Sequence, residues 1–198
     1  RQTERDSMLI AFGIGPLELV VIFVVFLLMV GVPILVVVAV VMLARRAAGG
    51  GSKPPLPAGP PSVVQRFSPS DASISAGARW LDNELEVTAA EAGTHRLFEV
   101  ALSGIEQAML TYRFRIRTEN LQGAVYPEMW CRIVGMGEFF SRGLDQKVRG
   151  ANNWTSVEIP FYLKRGQRAD LLKLNLVFEG TGLVRLADIE VLATPLAG

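Results

Sequence analysis

The chain has 198 residues, half of them hydrophobic, with 20 Lys and Arg against 19 Asp and Glu. One cysteine, Cys131, and one histidine, His95, exclude an intramolecular disulfide and a Cys/His zinc cluster. Setting aside the five basic and three acidic residues of 1–62 leaves 15 against 16. That balance lacks the basic excess of a phosphate-binding surface and argues against nucleic acid as a partner.

Residues 1–16 read as a short leader. The sequence opens on Arg1, and Met8 is an alternative start that would make 1–7 an extension; both stay open. Gly13-Ile14-Gly15-Pro16 then breaks the chain, and Pro16 suits a first helical position, where its missing N–H costs nothing. Leu17 to Leu43 is the dominant stretch, 27 residues whose one ionisable side chain is Glu18. At ~1.5 Å per residue a helix of that length reaches about 40 Å, enough to cross a hydrocarbon core of roughly 30 Å with tilt. None of its faces is polar at helical spacing, so the stretch predicts a single transmembrane helix. Glu18 falls in the first turn, against the positive end of the helix dipole, and reads as an interfacial cap or a partner-facing acid. Gly31-Val32-Pro33 predicts a kink near Pro33, with Gly31 able to admit a neighbouring helix.

The run Phe12-Gly13-Ile14-Gly15-Pro16-Leu17-Glu18-Leu19 resembles the amino-terminal start of twin-arginine translocase pore subunits. The likeness stops after about a dozen residues, because that family continues with a hinge and a basic amphipathic helix, so translocation is not carried over. It implies an amino terminus outside, and the expected localisation is a bacterial inner membrane. Arg45-Arg46 abuts the apolar end, and with Lys53 it outnumbers Arg1 and Arg5 on the other flank. By the positive-inside rule the following domain is expected in the cytoplasm.

Residues 44–62 form a basic flank and linker. Positions 47–62 hold four glycines and five prolines and predict a flexible then extended tether. From 63 to 198 the pattern changes to period-two alternation. In LTYRFRI, Leu110, Tyr112, Phe114 and Ile116 face one way, and Thr111, Arg113 and Arg115 the other, with Arg117 next. SVEIPFYL, LLKLNLVFE and the run through Val184, Leu186, Ile189 and Val191 alternate likewise. Weaker strands are expected at 63–67, 78–88, 95–102 and 125–134. Eight or nine short antiparallel strands in ~135 residues predict an all-β domain built as a two-sheet sandwich.

TYRFRIRTEN, the strand around Trp130, Asn153-Trp154-Thr155 and Gly180-Thr181-Gly182-Leu183-Val184-Arg185-Leu186-Ala187-Asp188-Ile189-Glu190-Val191 resemble a carbohydrate-binding-module-like, or galactose-binding-like, jelly roll. The resemblance implies a two-sheet antiparallel fold and a concave sheet face holding the ligand. It points to Trp130, Tyr162, Arg115 and Asn175 as positions to test, and to Asp188 as a calcium candidate. One carboxylate falls far short of the six to eight oxygens calcium takes, so no metal site is assigned. The residues themselves leave three readings of the polar face around Arg113, Arg115 and Arg117 open: a solvated surface of cross-strand ion pairs, a protein-contact surface, or a sugar site. Trp80 and Trp154 read as packing residues, Cys131 as a small buried hydrophobe, and His95 as a surface residue at a strand start.

No nucleophile–base constellation, phosphate loop or singled-out acid pair is present, so neither catalysis nor a cofactor is expected. The expectation is a non-catalytic, membrane-anchored accessory subunit of a larger complex, respiratory, photosynthetic or secretory. The bilayer and neighbouring subunits would be its partners. The alternative is a membrane-tethered module that binds a saccharide or other small ligand.

Overall fold

The computed structural model describes residues 55–197. The leader, the expected span at 17–43 with Glu18, Gly31 and Pro33, the basic pair Arg45-Arg46 and the linker to 54 lie outside the described residues. Among the described residues no helix is long and apolar enough to cross a membrane.

The described chain is all-β. Its strands run in order as β1 (Ser62–Arg66), β2 (Ala78–Leu81), β3 (Glu84–Ala89), β4 (Gly93–Glu106), β5 (Ala108–Ile133), β6 (Gly137–Arg142), β7 (Val148–Tyr162), β8 (Arg168–Phe178) and β9 (Thr181–Pro195). A single 3-10 turn, Leu144–Gln146, precedes β7. All pairings are antiparallel, and they join the nine strands into one continuous sheet in the order β2-β3-β9-β5-β8-β4, with β1 on β9 and both β6 and β7 on β5.

Two separate sheets were expected, and this is corrected: one sheet curls over on itself. The cause is β5, whose 26 residues run through both layers. Its first half pairs with β9 and β7, from Met109 opposite Thr194 and Tyr162. Its second half pairs with β8 and β6, as Trp130 opposite Lys173 and Phe140. The passage between them, Asn120 to Ala124, carries Asn120 and Gly123 at positive φ (52° and 92°). It is crossed by the β8–β9 turn, where the Glu179 N–H donates to the Ala124 carbonyl at 2.7 Å. Gly123 is required there, since a Cβ would stand 2.7 Å from the Glu179 carbonyl oxygen.

The curl closes on one core. Leu110, Tyr112, Phe114 and Ile116 point into it from the first half of β5, as their alternation predicts, and Met129, Cys131 and Ile133 from the second. Leu172, Leu174 and Leu176 of β8 and Val184, Leu186 and Val191 of β9 meet them there. Fully burying an aliphatic side chain is worth about 1.5–3 kcal/mol, and this face-to-face packing holds the curl shut. Pro57 bridges Leu196 and the Ala58 N–H donates to the Pro195 carbonyl at 2.8 Å, so the chain is already stitched to the domain before β1.

Candidate functional site

Two polar surfaces face outward, one on each layer, and the predicted site residues divide between them. On the first layer, period-two alternation puts Thr111, Arg113, Arg115 and Arg117 of β5 on the outer side. The register sets Glu158 opposite Arg113, and Ser156 opposite Arg115, from β7. From β9 it sets Glu190 opposite Arg113. A β-bulge between Arg113 and Arg115, with Asp188 at φ 52°, turns the Asp188 carboxylate toward Arg115.

Charge alternates across this face. Glu190 is buried and accepts from Arg113 Nη2 at 2.5 Å and from Arg66 Nη2 at 3.1 Å. Arg115 Nε donates to Asp188 Oδ2 at 2.6 Å. Farther along, Glu86 accepts from Arg79 at 2.6 Å and Arg185 at 3.3 Å. The hydrogen bond from Arg79 holds Glu86 below the ordinary carboxylate range against the opposing effect of burial. Burial pushes Glu190 upward, but its hydrogen bonds from Arg113 and Arg66 outweigh that and hold it low. Arg115 and Arg117 both lie over the Trp154 ring, at 5.2 and 5.3 Å from its centroid. Trp154, expected as packing, is half-buried beneath two guanidiniums.

A groove of about 890 Å³ opens over this ladder, lined by Arg66, Arg113, Arg115, Glu158, Asp188 and Glu190 together with Gln146 and Ser156. A smaller hollow of about 280 Å³ continues it past Thr111 and Pro160 to Tyr162, sharing Gln146 and Glu158. Trp154 and Tyr162 sit on the same side of β7, eight residues or ~26 Å apart at ~3.3 Å per residue, and flank the two ends. Three guanidiniums balance three carboxylates in the larger hollow. Glu158 is exposed and forms no ion pair among the described residues. Gln146, Trp154 and Glu158 were not predicted as site residues. The sequence signal for Glu158 was its place in the SVEIPFYL alternation, but nothing there marked Gln146.

Trp130 and Asn175 are not part of this groove. They lie on the outer side of the second layer, where Glu128 accepts from Trp130 Nε1 at 2.7 Å, Asn175 Nδ2 at 3.0 Å and Arg142 Nε at 2.5 Å. Burial raises Glu128, and these three bonds overcome it and leave the carboxyl low. Arg142 covers Phe140, and Trp130 tilts against the same ring at 5.1 Å. Trp130 is half-buried and its indole N–H is already taken by Glu128; Asn175 is 2% exposed, and its buried Oδ1 has no hydrogen-bond partner among the described residues. Asp188 is engaged by Arg115, and among the described residues no three His, Cys, Asp or Glu side chains gather to hold a metal. His95 is half-buried rather than a surface residue: its ring packs edge-on against Phe178 at 5.1 Å and Nδ1 meets Ser75 Oγ at 3.1 Å. Burial lowers its pKa. Cys131 is buried in β5, and burial pushes its thiol up to about 12. Trp80 packs against Phe98 and donates its indole N–H to the Asp71 carbonyl at 2.8 Å.

No protein-family model matches the chain, and no curated protein matches it. Among solved structures it is similar to a CBM4 carbohydrate-binding module, at 15% identity and a TM-score of 0.41, over 65% of this chain and 84% of that one. It is also similar to the CBM22-1 xylan-binding domain of Paenibacillus barcinonensis Xyn10C, at 9% identity and a TM-score of 0.39, over 69% and 97%. A third is the Stig cyclase Fisc from Fischerella sp. TAU, at 14% identity and a TM-score of 0.42, over 72% and 81%. Likenesses this distant assign neither a ligand nor a reaction to this chain. Nothing in them supports the translocase-like reading of residues 12–19.

Proposed function

We propose that the chain is a membrane-tethered, non-catalytic binding module whose groove takes a neutral saccharide or a similar polyhydroxylated ligand. The observation that carries this reading is the charge-balanced groove of about 890 Å³ between Arg66, Arg113, Arg115, Glu158, Asp188 and Glu190. Guanidiniums donate to hydroxyl oxygens and carboxylates accept from hydroxyl hydrogens, so a polyol meets both halves of each pair. Equal numbers of the two signs give a phosphate or a polycation no net attraction. Glu158 forms no ion pair among the described residues, and Tyr162 supplies a flat, partly apolar surface in the adjoining hollow. The tether belongs to the same reading, through the span expected at 17–43. The absence of a base–nucleophile pair in the sequence favours binding over catalysis.

Calorimetry of the full chain in nanodiscs against a panel of neutral oligosaccharides tests the proposal. One member of the panel should bind, and Tyr162→Ala and Glu158→Gln should each weaken it about tenfold, or ~1.4 kcal/mol. Trp130→Ala should leave affinity unchanged. Binding that survives the groove variants, or no binding by any neutral glycan, sinks the reading.

The accessory-subunit reading keeps one observation of its own. Phe139, Phe140 and Leu144 are exposed along and just after β6, apolar side chains that a protein neighbour would cover. Co-purification from native membranes with a stoichiometric set of subunits would favour it.

A further inference from the structure

One end of the sandwich can be assembled from its hydrogen bonds alone. Gln107 is the single residue between β4, which ends with Glu106 opposite Arg168, and β5, which begins with Ala108 opposite Pro195. The Gln107 carbonyl accepts from the Leu196 N–H at 3.0 Å, Leu196 bridges Pro57, and the Ala197 N–H reaches the Leu56 carbonyl at 2.9 Å. From the other layer, the Val134 N–H donates to the Arg168 carbonyl at 3.0 Å. The point where the chain enters the domain and the tip of the β5–β6 hairpin therefore share one end, opposite the Asn120–Ala124 passage.

That end is apolar and basic together. Leu56 is 65% exposed, Val134 46% and Met136 55%. Lys164, Arg165 and Arg168 surround them, all exposed and none in an ion pair among the described residues; the exposed acids at the strand ends there are Glu106 and Glu138, and Glu138 is paired with Lys173. From Leu43 to Leu56 is thirteen residues, which even fully extended at ~3.5 Å each reach only about 45 Å, close to the ~40 Å width of a domain this size. The tether thus joins the domain at its apolar, basic end.

We infer that this end is a membrane-contact surface: Val134 and Met136 enter the interfacial layer while Lys164, Arg165 and Arg168 meet the phosphates of anionic lipids. The inference rests on the tethered reading above, and the two can fail separately. Short apolar tips flanked by basic side chains gain from both apolar burial and the negative surface potential. A protein partner on the same tip is the competing occupant.

The test uses the full chain in nanodiscs of phosphatidylcholine, with and without phosphatidylglycerol. An environment-sensitive fluorophore is placed on Met136→Cys or, at the far end, on Gln122→Cys; buried Cys131 leaves the unsubstituted chain as the labelling control. The Met136 probe should be quenched by doxyl-labelled lipid at least about twofold more than the Gln122 probe, and more strongly with anionic lipid. Combining it with Lys164→Glu, Arg165→Glu and Arg168→Glu should erase the lipid dependence. Equal, water-like emission from both probes in a chain retained by the disc overturns the contact surface and spares the tether. A blue-shifted Met136 probe that lipid does not quench assigns the tip to a protein and also overturns it. A chain that leaves the disc altogether overturns the tether, and the inference with it.

Discussion

At the residue scale, the buried acids decide how the domain meets acid. Glu86, Glu128 and Glu190 are each enclosed and each held below the ordinary carboxylate range by hydrogen bonds, from arginines at Glu86 and Glu190 and from Trp130, Arg142 and Asn175 at Glu128. A carboxyl depressed in the folded state adds stability that is fully present above its unfolded pKa, near 4, and is lost as pH falls through the folded value. Denaturant unfolding followed from pH 7 downward should therefore show a flat midpoint to about pH 5 and a steep fall below pH 4. Glu190→Gln should cost about 1–2 kcal/mol, because Arg113 and Arg66 lose their shared acceptor, and it should flatten part of that fall. Which charged residues lie together was only half legible. The alternation of LTYRFRI correctly predicted Arg113, Arg115 and Arg117 on one face. It could not carry parity to Trp130, because the register shifts around Thr118, Leu121 and Ala124 reset which residues point outward. Odd positions face solvent before the passage and even ones after it.

At the scale of elements, β5 and its crossing explain both what the sequence revealed and what it hid. Strong period-two runs marked β7, β8 and β9, since alternation reports a half-buried strand directly. Asn120-Leu121-Gln122-Gly123 carries the residues of a tight turn, yet the structure uses them to bend one strand between layers. Gly123→Ala should cost about 3 kcal/mol, from the positive φ and the contact with the Glu179 carbonyl, where a surface glycine such as Gly93 would tolerate the change. β6 escaped notice because Gly-Glu-Phe-Phe-Ser-Arg places two aromatics side by side and breaks the alternation. Phe139 and Phe140 point to opposite faces of β6, opposite Cys131 and Trp130, and both are exposed. Within the core, Leu174→Ala should cost about 2–5 kcal/mol, since its β8 position is fully enclosed between β4 and β5. Thermal or denaturant unfolding reads both values.

For the molecule as a whole, the span at 17–43 was the plainest statement in the sequence, and it concerns residues the structure does not describe. Its test is alkaline carbonate extraction: the chain should stay with the membrane pellet, and replacing Val24 and Val37 by Lys should release it, as two central charges oppose insertion by about 5–7 kcal/mol. The attachment of the tether has a mechanical side. β1 runs away from the point where Pro57 joins Leu196, antiparallel to β9, so tension on the tether draws β1 lengthwise along its neighbour. The rungs from Ser62 opposite Ala193 to Arg66 opposite Glu190 are then strained together in shear, not opened one by one. Under the proposed function, a ligand in the groove would be held partly by Arg66 and Glu190, at the far end of those same rungs. Pulling between membrane and ligand would load one short strand pair, and the rate at which that pair slips would set how long the connection lasts under force.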